Sequence, residues 1–159
     1  QALEKGTIDA AEWVGPYDDQ KLGFYKVAKN YAYPGFWEGG PQLDFYINKA
    51  AFNALSKENQ AIVEAAASYA HTEMQARYDA RNPQAIKRLV ANGAKVLPFP
   101  KTVMDDAFKN SMALYAELND TNPAWKKIYA DYSAFRKDAN VWFRFTEANF
   151  DDFMQRQKL

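Results

Sequence analysis

The spacing of apolar residues changes near residue 50, from a period of two to the spacings of three and four that are typical of helices. Residues 7–14 alternate between polar and apolar side chains, and so do residues 42–48. Because alternation places the apolar side chains on one face of a strand, the sequence predicts a short strand in each stretch. Residues 24–33 are rich in Tyr and Lys and fit either a strand or a short helix.

A short helix is predicted directly after the first of these strands. Gly15 ends the strand, and Pro16 opens a helix through Leu22, because proline is tolerated where the backbone amide has no partner. Asp18 and Asp19 suit the first turn, where their charges complement the helix dipole.

The first long helical segment follows Ser56, a suitable N-cap residue, and continues with good helix formers to Arg81. Proline removes a ladder hydrogen bond and disfavours helical geometry in the residue before it. Residues 82–83, Asn-Pro, therefore predict a kink or a new helix start. Gly93 then provides the signal of a helix end.

Two further helices are predicted after a short extended piece at residues 95–100. Thr102 with Asp105 resembles a capping box and predicts a helix to about residue 118. The Asn-Pro pair at residues 122–123 opens a last segment that runs almost to the end of the chain.

Large apolar side chains recur at spacings of three and four along this last segment, and we call them the aromatic face. They are Trp125, Ile128, Tyr129, Tyr132, Phe135, Ala139, Trp142, Phe143, Phe150 and Phe153. The spacing predicts an amphipathic helix that needs another surface to pack against. The pattern leaves open whether that surface belongs to the same protein or to a second subunit.

Composition narrows the classes of partner. The chain has 159 residues, with 20 Lys and Arg against 20 Asp and Glu, so no net charge attracts nucleic acid or an anionic membrane. Cysteine is absent, which excludes disulfides and thiolate sites from this chain. The one histidine, His71, has no second histidine or thiol with which to form a zinc site. No phosphate-binding loop motif is present.

The candidate binding residues lie in two segments rich in glycine and proline. Glu12 and Trp13 precede Gly15 and Pro16 in the first, and Trp37 and Glu38 lie in the second. A carboxylate beside a rigid aromatic ring can bind a cation or a ligand while the ring excludes water. Oxygen-rich surroundings favour a hard cation, Na⁺ or Ca²⁺, over a transition metal.

Two other uses of these carboxylates stay open from the residues alone. Glu12 and Glu38 can act as the acid and base of a carbohydrate-active enzyme, with Trp13 and Trp37 stacking on sugar. They can also be N-caps or surface carboxylates beside core tryptophans.

Three motifs add a family resemblance. QALEKGTIDAAEWVGP at residues 1–16, KLGFYKVAK at 21–29 and PGFWEGGP at 34–41 resemble the extracytoplasmic solute-binding receptors of TRAP transporters. The nearest branch binds 2-oxo acids and related monocarboxylates. The likeness extends through residues 82–89 and the aromatic face, and it corresponds to the C-terminal half of such a receptor.

The resemblance implies a fold of the α/β class that is mainly helical. It is the C-terminal half of a class II periplasmic-binding-protein-like architecture, with few short strands and a long C-terminal helix. We expect one segment with three parts: residues 1–55 with the ligand motifs, a helical part at 56–122, and the terminal helix at 123–159. Residues 1–6 predict the last turn of a helix ending at Gly6, so we expect this chain to be part of a longer protein.

The resemblance also implies a function without catalysis. A periplasmic receptor of this kind closes around a small monocarboxylate, here a 2-oxo acid by preference, together with Na⁺ or Ca²⁺, and delivers it to the membrane permease subunits. By the family motif, Glu12 is a cation ligand, Trp13 contributes its backbone carbonyl to the cation and a wall to the ligand, and Phe36 and Glu38 line the substrate. The arginine that binds the substrate carboxylate lies upstream in the family.

Some receptors of this branch form homodimers by exchanging a C-terminal helix, which fits the aromatic face. Two other classes remain as alternatives to the receptor. One is a helical interaction or dimerisation module that needs only the aromatic face, and the other is the carbohydrate-active enzyme using Glu12 and Glu38.

Overall fold

The computed structural model describes residues 1–36, 40–41 and 43–157, and most of them are helical. The elements in chain order are α1 (Pro16–Leu22), a 3₁₀ turn (Phe24–Lys26), β1 (Asn30–Tyr33), α2 (Lys49–Asn53), α3 (Lys57–Ala91), β2 (Lys95–Pro98), α4 (Lys101–Thr121), α5 (Pro123–Phe143), a π-helical turn (Arg144–Ala148) and α6 (Asn149–Gln155). The predicted fold class, mainly helical with few short strands and a long C-terminal helix, is confirmed. The chain divides into two compact units, Gln1–Lys101 and Thr102–Leu159.

The core of the first unit lies where α1 packs against the second half of α3. Ala85 and Leu89 of α3 are fully buried, and Ala94, just beyond the helix, is nearly so. Ala85 and Leu89 are four residues apart and therefore share one face of the helix. The predicted short helix through Leu22 is confirmed, with proline in its first turn and both aspartates there.

Helix α3 runs without a break through Pro83, so of the two outcomes predicted at residues 82–83 the new helix start is wrong, and the kink stays a prediction. The reason is tertiary. The side-chain oxygen of Asn82 accepts a hydrogen bond of 3.0 Å from the backbone amide of Tyr17 in α1. The buried residues of α3 that follow Pro83 continue the packing face, and this packing outweighs the one backbone bond that proline removes.

The caps of α3 follow the sequence. Ser56 Oγ accepts from the backbone amide of Asn59 at 3.3 Å, which confirms the predicted N-cap. Gly93 has a φ of 88° and ends the helix in a Schellman motif, with Ala94 N donating to the Leu89 carbonyl at 3.0 Å. Gly6 closes a turn of the same kind at residues 1–6, as predicted, with a φ of 69°.

Strands β1 and β2 form a parallel pair, with Asn30 opposite Lys95 and Tyr33 opposite Pro98. Lys95 N donates to the Lys29 carbonyl and Phe99 N to the Tyr33 carbonyl, each at 2.7 Å, which extends the ladder at both ends. The extended piece predicted at residues 95–100 is thus confirmed as β2. Residues 24–33, for which helix and strand were both open, contain the 3₁₀ turn and β1 in succession.

The strands predicted at residues 7–14 and 42–48 are wrong for the part of both stretches that the structure describes. Alternation arranges side chains on two faces, but a strand forms only when its backbone groups find a neighbouring strand. The one ladder among the described residues is β1 with β2. Phe45 is consequently 78% exposed, although it is one of the apolar members of the second pattern.

The second unit contains the helices of the C-terminal part. Asn122 caps α5 by accepting from Trp125 N at 3.0 Å, as the Asn-Pro signal predicted. The rings of Tyr115 in α4 and Trp125 and Tyr129 in α5 pack together, with centroids 5.2–5.5 Å apart. Helix α4 begins at Lys101, so Thr102 lies in its first turn rather than at the predicted cap.

Replacing Leu89 with Ala should lower the free energy of unfolding by about 2–5 kcal/mol, because the Leu89 side chain is 1% exposed and its removal leaves a cavity. Val90 is the matched control, since it is the next residue of α3 and is 51% exposed. Val90→Ala should change stability by about 0.5 kcal/mol or less. Urea denaturation measures both, and equal losses would contradict this packing of α1 on α3.

Gly93→Ala should cost about 1–2 kcal/mol, because an alanine at a φ of 88° is strained even though the nearest atom to its Cβ, Lys29 Nζ, is 3.8 Å away. Gly40→Ala is the control: it lies outside the left-handed region, and nothing stands within 4 Å of an added Cβ. Thermal unfolding should show a lower midpoint for the first variant only. A lower midpoint for both would refute the Schellman assignment.

Candidate functional site

Glu12 and Trp13 lie on the irregular segment directly before α1, and both side chains are exposed to solvent. Trp13 is 56% exposed, which leaves most of its ring open to a ligand or another surface. The backbone after them is fixed within two residues, because Gly15 is the N-cap of α1 and its carbonyl accepts from Asp19 N at 2.9 Å. The position of Glu12 and Trp13 therefore depends on how α1 is held.

Helix α1 is held on α3 by side-chain hydrogen bonds as well as by apolar packing. Tyr78 of α3 donates its hydroxyl proton to Asp18 at 2.6 Å, and Arg81 donates to the Tyr17 hydroxyl at 2.9 Å. The Arg81 guanidinium also lies 5.1 Å from the centroid of the Tyr17 ring. These contacts hold α1 against α3 through two adjacent residues of the short helix.

The second predicted segment follows β1. Phe36 is partly buried and lies three residues beyond Tyr33, the end of the strand. Glu38, the predicted carboxylate of this segment, lies outside the described residues, as does Trp37. The roles predicted for Phe36 and Glu38 at the substrate therefore stay predictions.

A buried hydrogen bond connects the two segments. The Tyr31 hydroxyl of β1 donates to Asp19 Oδ2 of α1 at 2.5 Å. Asp19 is 6% exposed, and its other carboxylate oxygen, Oδ1, has no hydrogen-bond partner among the described residues. A buried carboxylate with one free oxygen is costly, so the single bond from Tyr31 matters more than an exposed one would.

The electrostatics of this pair follow from its burial. Burial raises the pKa of the Asp19 carboxyl; the hydrogen bond from Tyr31 opposes this shift, and the charges of Asp18 and Glu12 add to it. Burial, and then the bond to Asp19, also raises the pKa of the Tyr31 hydroxyl far above its usual value, so Tyr31 remains a donor. The influence of Glu12 shows that the candidate cation ligand lies within electrostatic range of Asp19.

The sequence does not predict this bond. It predicts that Asp19 complements the dipole of a short helix, and the structure confirms its place in the first turn of α1 but adds the buried contact to Tyr31. The two residues are twelve apart, with a helix end and a 3₁₀ turn between them, and no spacing rule connects such positions. The one feature of the sequence that could have indicated this bond is the presence of a Tyr-rich stretch shortly after the adjacent aspartates Asp18 and Asp19.

No metal-binding group of three or more His, Cys, Asp or Glu side chains occurs within residues 1–36, 40–41 and 43–157. None of the described helices is both long enough and apolar enough to cross a membrane.

Comparison with known proteins supports the family resemblance. The model of the family "bacterial extracellular solute-binding protein, family 7", the DctP family, matches residues 1–122. A periplasmic protein of Nostoc sp., named as monocarboxylate 2-oxoacid-binding, is 45% identical over 152 residues, which are 96% of this chain and 42% of that protein.

Two solved structures are similar throughout the chain. A TRAP transporter solute-binding protein from Bordetella bronchiseptica, a mixed-occupancy dimer with calcium and picolinate in one active site, is 48% identical with a TM-score of 0.89 over 96% of this chain and 46% of that one. One from Pseudoalteromonas atlantica, with sodium and pyruvate bound, is 29% identical with a TM-score of 0.88 over 99% of this chain and 47% of that one.

This chain spans less than half the length of each of these relatives. The family match covers more than two thirds of the chain, and it includes the segment of Glu12 and Trp13 and the segment after β1. By sequence and by fold, the chain belongs to family 7 of the bacterial extracellular solute-binding proteins, the DctP family of TRAP receptors.

Proposed function

We propose that this chain is the C-terminal half of a two-lobed periplasmic receptor that binds a small monocarboxylate, a 2-oxo acid by preference, together with Na⁺ or Ca²⁺. The observation that carries the proposal is the exposed carboxylate of Glu12 beside the exposed ring of Trp13, on a segment fixed by α1. The same segment lies within the match to relatives named for 2-oxo acids or described with pyruvate and picolinate.

The cation explains why a carboxylate suits a site for an acid. The negative charges of Glu12 and of a carboxylate ligand repel each other. A cation bound between an oxygen of Glu12 and an oxygen of the ligand attracts both and so replaces the repulsion by attraction. Pyruvate and picolinate each carry a second donor atom beside the carboxylate, the keto oxygen or the ring nitrogen, so each can chelate a hard cation. Ca²⁺ and Na⁺ prefer oxygen ligands, which Glu12 and a backbone carbonyl at Trp13 supply.

The remaining site residues follow from the same proposal. Trp13 provides an aromatic wall, and Phe36 and Glu38 line the acid from the segment after β1. The other cation ligand and the arginine for the substrate carboxylate come from the half of the receptor that lies outside this chain. Closure of two lobes around the acid then removes it from water.

The receptor is proposed to bind and deliver its ligand without changing it. Its partners are the acid, the cation and the membrane permease subunits of a TRAP transporter, and its place is the periplasm. Family 7 consists of solute-binding proteins, and the Nostoc relative is named as periplasmic. The alternative of a carbohydrate-active enzyme needs Glu38 opposite Glu12, and it stays a prediction because Glu38 lies outside the described residues.

The aromatic face supports a homodimer of the receptor. Most of its side chains are exposed on α5 and α6, with Ile128 at 70% and Phe135 at 72%, whereas Trp125, Tyr129 and Ala139 are partly buried. Exposed apolar area of this kind marks an interaction surface. We propose a second copy of the receptor as the partner, because the Bordetella relative is a dimer. This proposal includes the alternative of a helical dimerisation module, since both assign self-association to the aromatic face.

Glu12→Gln should weaken the binding of pyruvate to the full-length receptor by about tenfold or more and reduce the gain in affinity on adding Ca²⁺, because the amide supplies no charge to the cation. Isothermal titration with Ca²⁺, with Na⁺ and with a chelator measures both effects. Asp9→Asn is the matched control, since it removes an exposed carboxylate from the same segment. Unchanged affinity in Glu12→Gln would refute the cation-ligand role.

Phe135→Glu should shift the full-length receptor from dimer to monomer in sedimentation equilibrium, because it places a charge in the middle of the aromatic face. Ala134→Glu, about 100° around α5 from Phe135 and also exposed, should leave the dimer intact. Pyruvate binding should persist in both variants. A dimer that survives Phe135→Glu would exclude this face as the subunit interface.

A further inference from the structure

We infer that Asp19 and Tyr31 are positioning residues of the binding site: their hydrogen bond fixes the segment of Glu12 and Trp13 relative to the segment of Phe36. The inference rests on the proposed function, because it assigns the bond a role at that site. It depends on where the two residues lie in the chain, what else holds their elements, and how the bond is buried.

Each residue of the pair lies close to one of the two candidate segments. Asp19 is in α1, whose first residue, Pro16, comes three residues after Trp13. Tyr31 is in β1, whose last residue comes three residues before Phe36. Any shift of α1 relative to β1 is therefore transmitted almost directly to the distance between Trp13 and Phe36.

The elements α1 and β1 are otherwise held by different neighbours. Helix α1 packs on α3 and is hydrogen-bonded to it, whereas β1 is hydrogen-bonded to β2. The bond from Tyr31 to Asp19 is the side-chain hydrogen bond that the structure gives directly between α1 and β1. The bond therefore sets the distance between α1 and β1. Without it, the contacts with neighbouring elements connect α1 to β1 only indirectly, through α3 and β2.

The burial of Asp19 makes this bond difficult to replace. Oδ1 is already without a partner, so loss of the Tyr31 hydroxyl would leave both carboxylate oxygens of a buried side chain unpaired. Such a group regains partners only by moving towards water or by taking up a proton. Movement of Asp19 is movement of α1, and with it of Glu12 and Trp13.

A second bond in the same helix provides a matched control. Tyr78 donates to Asp18 at 2.6 Å, so it is also a tyrosine hydroxyl bonded to an aspartate in the first turn of α1. It is one of several bonds that connect α1 to α3, beside those of Asn82 and Arg81 to Tyr17, so α1 stays in place without it, and it connects neither candidate segment to the other. Removing the Tyr78 hydroxyl tests for a loss of stability without the proposed loss of positioning.

The experiment compares Tyr31→Phe with Tyr78→Phe in the full-length receptor. Isothermal titration measures the affinity for pyruvate with saturating Ca²⁺, and calorimetric unfolding measures the thermal midpoint of each variant. We expect Tyr31→Phe to weaken pyruvate binding by about tenfold and Tyr78→Phe by about twofold or less. Both variants should unfold at a lower midpoint, and Tyr31→Phe at the lower of the two, because Asp19 is buried. Equal affinities in the two variants would overturn the inference.

A rescue separates positioning from folding. Asp19→Asn keeps an oxygen that accepts from Tyr31, whereas Asp19→Ala removes it. We expect Asp19→Asn to bind pyruvate at least about fivefold more tightly than Asp19→Ala does. Equal affinities would overturn the inference. A wild-type receptor that binds neither pyruvate nor picolinate with Ca²⁺ or Na⁺ would overturn the proposed function as well, so the two failures are distinct.

Discussion

The packing of α1 on the second half of α3 is the constraint on which the candidate site depends. A helix of seven residues is too short to be stable alone, so α1 exists because α3 covers its apolar side and accepts or donates its polar bonds. The side-chain oxygen of Asn82 accepts a hydrogen bond from the backbone amide of Tyr17, and Ala85 and Leu89 form the buried face of α3. The segment with Glu12 and Trp13 is positioned as a consequence of this contact.

Local signals in the sequence predicted three helix ends correctly, because caps are hydrogen bonds between near neighbours in the chain. Ser56, Gly93 and Asn122 each act in the structure as the sequence indicated, whereas Thr102 lies inside the first turn of α4. Two predictions that depended on distant partners were wrong. Residues 7–14 alternate as a strand does, but no strand among the described residues pairs with them, and Pro83 continues α3 because α1 packs across it.

The candidate site was predictable in part for the same reason. Glu12 and Trp13 are neighbours in one motif, and the family match includes them. The bond between Asp19 and Tyr31 joins two elements across a turn, and only the structure brings these residues together. The sequence therefore indicates the candidate ligand-binding groups, and the fold indicates the groups that hold them in position.

The most direct test of the account is a titration of pyruvate into the full-length receptor and into this chain alone, each with Ca²⁺, with Na⁺, and with a chelator in a buffer free of Na⁺. If Glu12 and Trp13 supply one part of a site that a cation completes, only the full-length receptor with Ca²⁺ or Na⁺ binds pyruvate. Equally tight binding by the full-length receptor in the Na⁺-free buffer with the chelator would contradict the account, because neither cation would then bridge Glu12 and the acid.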